Sequence, residues 1–161
     1  MIDGEMYIFG GMGEPYEQTI WRLDQETWQL KKLPKTMKRP RYCHSVCLNG
    51  NFCYIIGSRQ PEASYTIERF LIKDQYCDPF CTSDYGRYYA SAIGMNDFVY
   101  IFGGYLTEGN KLTNLIERVD VNKPYTEKPQ AIQISEDMLP ARYGMGIWKR
   151  DDCILLLGGH S

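Results

Sequence analysis

The chain has 161 residues, 43% hydrophobic and 24% charged, the proportions of an ordinary folded protein, which exclude disordered, collagen-like and low-complexity classes. Its 18 Lys and Arg against 20 Asp and Glu leave a net charge of −2, so there is no global positive field to gather nucleic acid or an anionic membrane. No apolar run approaches the roughly 20 residues a membrane helix needs, and the first residues lack the basic start and apolar stretch of a signal peptide. The expectation is a cytoplasmic chain whose six cysteines are free thiols, because that compartment is reducing.

Thirteen Tyr, 15 Gly and 8 Pro, with few long apolar-periodic stretches, favour short strands joined by tight turns, so the fold class expected is all-β. In chain order, the first element is Met6-Tyr7-Ile8-Phe9-Gly10-Gly11, an apolar run that ends in a glycine pair. The pattern returns as Cys53-Tyr54-Ile55-Ile56-Gly57-Ser58, Val99-Tyr100-Ile101-Phe102-Gly103-Gly104 and Ile154-Leu155-Leu156-Leu157-Gly158-Gly159, and the first glycines are 47, 46 and 55 residues apart. An Arg-Tyr pair stands sixteen residues before each of the last three glycine positions: Arg41-Tyr42, Arg87-Tyr88 and Arg142-Tyr143. Between pair and run lies a dipeptide suited to a hairpin turn, Gly50-Asn51, Asn96-Asp97 or Asp151-Asp152, with Asp3-Gly4 in the shortened first copy. Each copy therefore opens with two antiparallel strands, a and b. A third strand, c, aligns as Trp21-Arg22-Leu23-Asp24, Glu68-Arg69-Phe70-Leu71 and Glu117-Arg118-Val119-Asp120, and a fourth, d, is clearest at Thr27-Trp28-Gln29-Leu30. Four strands in about 50 residues is the period of a propeller blade.

The Arg before strand a, the Tyr three places before a Gly-Gly that ends strand b, and the Asp24, Thr27, Trp28 spacing near strand d make the sequence resemble kelch-repeat β-propellers over nearly its whole length. It departs from the pattern at Ser58, and at Leu155 where a Tyr is the rule. The resemblance implies an arc of three to four blades in one incomplete propeller: a partial blade at 1–40, blades at 41–86 and 87–141, and a partial blade at 142–161. Thirteen strands are too few for a ring of about 4 to 8 blades. Further kelch blades of a longer chain or other subunits are therefore expected to cover the open edges, and an isolated monomer is expected to be unstable.

The resemblance also implies a protein-interaction module that recruits or scaffolds a partner. In BTB-kelch ubiquitin-ligase adaptors, arginines at this place in the motif line the mouth of the central channel and contact acidic peptides. By that likeness Arg41, Tyr42, Arg87, Tyr88, Arg142 and Tyr143 form the partner-binding set. The competing reading is that each Arg pairs with backbone carbonyls or with a carboxylate of the next blade. From other classes stand a structural subunit docked in a large assembly and a copper enzyme like the galactose oxidase relatives, whose metal takes two His and two Tyr; no matching motif occurs here.

No catalytic constellation stands out, and neither a cofactor nor a metal is expected. The two histidines, His44 and His160, are 116 residues apart, and the register sets His44 on a strand beside Ala90 and Met145 as a packed or capped residue. Cys43 and Cys47, like Cys77 and Cys81, are four apart and invite a zinc reading. The register instead sets Cys43 and Cys47 on a strand and Cys53 and Cys153 at core positions, where a thiol packs as a small hydrophobe; Cys77 and Cys81 flank a loop. The segments after the glycine pairs, 12–18, 59–64 and 105–113, vary while the strands hold register, as recognition loops on a scaffold do.

Overall fold

The computed structural model describes residues 5–13, 17–125 and 127–161. Blade 1 holds β1 (Met6–Gly11), β2 (Glu17–Leu23) and β3 (Leu30–Lys32) in that order. Blade 2 is the four-stranded antiparallel sheet β4 (Ser45–Asn49), β5 (Phe52–Ile56), β6 (Thr66–Leu71) and β7 (Tyr76–Thr82), with the one-turn helix α1 (Pro61–Ser64) between β5 and β6. A two-residue strand β8 (Arg87–Tyr88) leads into blade 3, built from β9 (Ser91–Met95), β10 (Phe98–Phe102), β13 (Ile116–Asp120) and β14 (Gln130–Ile132). The loop of blade 3 adds β11 (Tyr105–Leu106), which pairs with β8, and β12 (Lys111–Leu112), which pairs with β11, in a small sheet that the repeat pattern does not foresee. Blade 4 is the hairpin β15 (Gly146–Arg150) and β16 (Cys153–Leu157).

The three expected hairpin turns are where the dipeptides place them, with Asn49 opposite Phe52, Met95 opposite Phe98 and Arg150 opposite Cys153. Gly50, Asn96 and Asp151 each take positive φ, which these residue types tolerate better than most. The Asp3-Gly4 turn lies outside the described residues. Strand d forms in all three of the first blades. It is seven residues long in blade 2 and runs from Tyr76 through the segment read as a loop around Cys77 and Cys81. Both cysteines therefore sit on a strand, where the sequence reading placed a loop.

The central strand of each complete blade is covered on both faces by its neighbours, which is why β5 and β10 are almost continuously apolar. Between blades 1 and 2 the packing is Phe9, Ile20 and Met37 with Cys53, Ile55, Phe70 and Cys77. Between blades 2 and 3 Tyr54, Ile56, Ile67 and Phe80 meet Val99, Ile101 and Val119. Phe102 and Ile116 meet Met145 at the third junction. The a strands lie side by side, β4 against β9 and β9 against β15.

The junctions carry a repeating polar pattern. The residue after the first glycine of each pair donates its N–H to the carbonyl of the next blade's motif Arg: Gly11 to Arg41 at 2.9 Å, Ser58 to Arg87 at 3.0 Å and Gly104 to Arg142 at 2.8 Å. Two residues beyond each Arg the chain turns left-handed, at Cys43, Tyr89 and Gly144, and these residues are linked by Tyr89 N–H to Cys43 C=O and Gly144 N–H to Tyr89 C=O. Cys43 thus sits in a turn and only Cys47 of that pair is on a strand, which separates two thiols the sequence reading put on one element.

Cys153 corrects a second expectation: it is exposed, because the outer side of the blade 4 hairpin has no neighbour among the described residues. Cys47, Cys53 and Cys77 are buried. Burial pushes the Cys53 thiol up to about 11 and the Cys77 and Cys81 thiols up to about 12, so they remain protonated and pack as apolar groups.

Candidate functional site: the motif arginines and the tyrosine face

The three motif arginines share one local task. Each sends a guanidinium N–H to the carbonyl of the first glycine position ending strand b of its own blade: Arg41 to Gly57 at 2.8 Å, Arg87 to Gly103 at 3.1 Å and Arg142 to Gly158 at 2.9 Å. The constant offset of sixteen residues is the signature of that bond. Arg41 also donates to the carbonyls of Ala63 and Thr66 at 3.1 Å each. Arg87 donates to the carbonyl of Leu115 at 3.2 Å. The Thr66 and Leu115 carbonyls also accept the Gly57 and Gly103 N–H groups, at 3.2 and 3.1 Å, so each arginine adds a second bond that ties the end of strand b to the start of strand c.

Two of the three are neutralised there. Arg41 meets Glu68 at 2.8 Å and Arg87 meets Glu117 at 2.6 Å, and all four side chains are almost fully buried, with exposures of 0%, 2%, 2% and 1%. The second oxygen of Glu68 accepts the Lys38 N–H at 2.7 Å, and that of Glu117 accepts the Ser83 hydroxyl at 2.5 Å. Burial pulls both guanidinium groups below their usual range and pushes the Glu117 carboxyl above its own, while each partner charge pulls the other way. The carboxylate lies in the same blade, at the third-strand position shared by Glu68 and Glu117, whereas the sequence reading had considered the next blade. The available signal was two Glu at one register position inside an apolar strand, where a charge requires a counterion.

Arg41 and Arg87 are enclosed by their own blade, with their guanidinium groups turned to Glu68 and Glu117 rather than to solvent. Arg142 is half-buried and bonds only to carbonyls, Pro140 at 3.3 Å and Gly158 at 2.9 Å.

The tyrosines that follow the arginines go elsewhere. Tyr88 is buried and stacks on Tyr105 with ring centres 5.4 Å apart and planes at 10°. Tyr105 meets Tyr143 at 5.0 Å, Tyr143 meets Tyr89 at 5.8 Å, and Tyr143 stacks on His160 at 5.4 Å. The Arg59 guanidinium lies 5.8 Å over the Tyr88 ring. A hydrogen bond donated by the Tyr89 hydroxyl to the Cys43 sulfur holds the neutral phenol and raises Tyr89 above the usual tyrosine range. Tyr42 is half-buried at the equivalent place in blade 2, where the Ser58 hydroxyl bonds its backbone at both N–H and C=O, each at 3.2 Å. The result is an aromatic face drawn from blades 2, 3 and 4 at the loop end of the strands. The sequence reading found three of its members but not Tyr89, Tyr105 or Arg59. The left-handed turn at Tyr89 aims that ring, and the turn is a feature of the junction that no single repeat encodes.

His44 lies one residue ahead of β4 rather than on it. Burial, with the Arg41 charge as the lesser cause, lowers its pKa to about 4, and its Nδ1 has no hydrogen-bond partner. A group depressed from 6.5 in this way contributes stability above about pH 6.5 that is lost as pH falls through 4. At about 1.4 kcal/mol per pH unit the acid penalty is on the order of 3 kcal/mol. Melting temperatures measured between pH 7 and 4 are expected to fall steeply in the native chain and less steeply in His44→Gln; parallel curves would refute the assignment.

Among the described residues no cluster of three or more His, Cys, Asp or Glu has the geometry to hold a metal ion, and no helix is long and apolar enough to cross a membrane. No protein-family model matches the chain. It is 28% identical over 108 residues to a RING finger domain and kelch repeat-containing protein of Dictyostelium discoideum, covering 66% of this chain and 11% of that protein. To kelch domain-containing protein 3 of Bos taurus it is 30% identical over 124 residues, 66% of this chain and 32% of the relative. To host cell factor 2 of Homo sapiens it is 32% identical over 83 residues, 50% and 10% respectively. The chain thus spans between about a tenth and a third of the length of these relatives. With its repeat register, its four-stranded antiparallel blades and these similarities, the chain belongs to the kelch-repeat family, as part of an all-β propeller.

Proposed function

We propose that the chain is a non-enzymatic protein-interaction module whose recognition surface is the tyrosine face presented by Tyr89, Tyr105 and Tyr143 with Arg59, backed by the buried Tyr88 stacked on Tyr105. The observation that carries this reading is the aromatic ladder itself: rings from blades 3 and 4, with Arg59 of blade 2 over one of them, held by stacking and by the Tyr88 hydroxyl bond to Asn110, with Tyr89 40% exposed. Rigid amphipathic rings that lose little rotamer freedom are the groups that dominate protein recognition. In this reading the module recruits or scaffolds a protein partner, and the substrate-recognition part of a ubiquitin-ligase adaptor is one such role.

The test is a quantitative affinity purification with the native chain and with Tyr89→Asn combined with Tyr143→Ala; Asn is chosen because it tolerates the left-handed backbone at 89. The specific partners of the native chain are expected to drop at least roughly tenfold, with the melt unchanged. Undiminished capture would refute this surface.

A second reading, a structural subunit of a large assembly, is favoured by the outer face of blade 4, where Trp148, Leu155 and Leu157 are exposed. Further kelch blades or another subunit would cover it.

A further inference from the structure

We infer that the chain has a second recognition surface, formed by the linker between blades 1 and 2 and a cleft beside it that no residue of the tyrosine face lines, which takes a short acidic peptide segment carrying apolar side chains. The segment 31–39 holds Lys31, Lys32, Lys35, Lys38 and Arg39 and no acidic residue. All five are exposed, and none joins an ion pair among the described residues. The rest of the chain carries 13 basic against 20 acidic side chains, so the positive charge is segregated here rather than spread.

Solubility alone accounts for part of this run. Lys31 and Lys32 lie on β3, the outermost strand of blade 1, where lysines discourage edge-to-edge pairing. That reasoning does not extend to Lys35, Lys38 and Arg39, which belong to the linker crossing to blade 2. Lys35 and Lys38 both stand over the Tyr76 ring, at 5.0 and 4.7 Å from its centre, so two like charges are held together on one aromatic platform. The linker is fixed by the bond from the Lys38 N–H to Glu68.

Beside it opens a cleft of about 480 Å³ whose exposed apolar surface is Pro79 and Tyr125, over the buried Ile67 and Phe80; Lys38 and Arg39 line it too, as does Glu68, which is buried and neutralised by Arg41. Its charged rim and apolar lining suit a carboxylate next to an aliphatic or aromatic side chain. A peptide fits the charge pattern better than a nucleic acid does. The five residues from Lys35 to Arg39 span at most about 18 Å, and beyond that a long polyanion runs over a surface of net negative charge within about a Debye length.

The inference does not rest on the tyrosine face, and its test separates the two. The probe is a fluorescein-labelled peptide of about twelve residues, two thirds Glu and Asp and one third Leu and Phe, titrated with the full chain at low and physiological salt. Binding is expected to weaken with salt, to fall at least roughly tenfold in Lys38→Glu combined with Arg39→Glu, and to be unaffected in Lys149→Glu with Arg150→Glu on blade 4. The Tyr89→Asn, Tyr143→Ala variant should bind the probe like the native chain. Absence of binding, equal loss in the blade 4 variant, equal binding of an all-Glu peptide, or tighter binding of a single-stranded oligonucleotide of the same length would each overturn it.

Discussion

Replacing Glu117 with Ala is expected to destabilise the chain by roughly 3–5 kcal/mol, the loss seen when one partner of a buried ion pair is removed. The reason is geometric. Arg87 is 2% exposed, and with Glu117 gone its charge keeps only the carbonyls of Gly103 and Leu115 for company. Its Nε already has no hydrogen-bond partner. Against a total stability of about 5–15 kcal/mol, such a loss unfolds a large share of the population. Arg142→Ala is the internal comparison: it removes the same bond to a strand-b glycine from a half-buried, unpaired residue, and should cost about 1 kcal/mol. The double change Arg87→Met, Glu117→Leu is expected to recover most of the loss, because an apolar pair of similar volume replaces a desolvated charge pair. Urea unfolding with a common slope measures all three. Equal effects at Glu117 and Arg142 would show that the buried pair has no special weight.

The second large effect is expected at Gly57. A Cβ there would stand 2.2 Å from the Arg87 carbonyl oxygen, on a backbone with φ of +66°. That oxygen accepts the Ser58 N–H across the junction of blades 2 and 3, so the clash can be relieved only by moving one blade against the next. Gly57→Ala should lose on the order of 3 kcal/mol or more, the strain of the left-handed residue adding to that of a displaced junction. Gly50→Ala separates the two contributions, since Gly50 has φ of +57° but open space around it. Its cost should be only about 1–2 kcal/mol. If both substitutions melt alike, the close approach at the junction is not what the glycine is for.

These two sites mark how far the sequence could be read. The hairpin turns were legible because the sign of φ is a local matter, decided by Gly50, Asn96 and Asp151 themselves. The b strands were legible because cover on both faces removes the polar alternation from β5 and β10. The destination of the arginines was not, since their burial depends on a carboxylate 27 or 30 residues away, at Glu68 and Glu117. The small sheet of β8, β11 and β12 joins a linker to a loop and carries no repeating pattern of its own. Cys153 was misplaced because a register aligned on Phe52 and Phe98 assumes a following blade at every copy, whereas exposure at Cys153 depends on what actually lies beside β16. Tyr76 and the basic linker meet only when blade 1 is laid against blade 2.

The pairing of Arg41 with Glu68 and of Arg87 with Glu117 also bears on how such an array can lengthen or recombine. Each pair closes within a single repeat, so a duplicated segment that starts in the linker before the Arg brings its own counterion with it. An out-of-register breakpoint between the Arg and the Glu would instead leave a buried charge without its counterion, at a cost of roughly 3–5 kcal/mol. The interior ion pair thus constrains register: a joint in the linker 34–40, or one between equivalent positions of two repeats, keeps every Arg with a Glu, whereas an out-of-register joint does not.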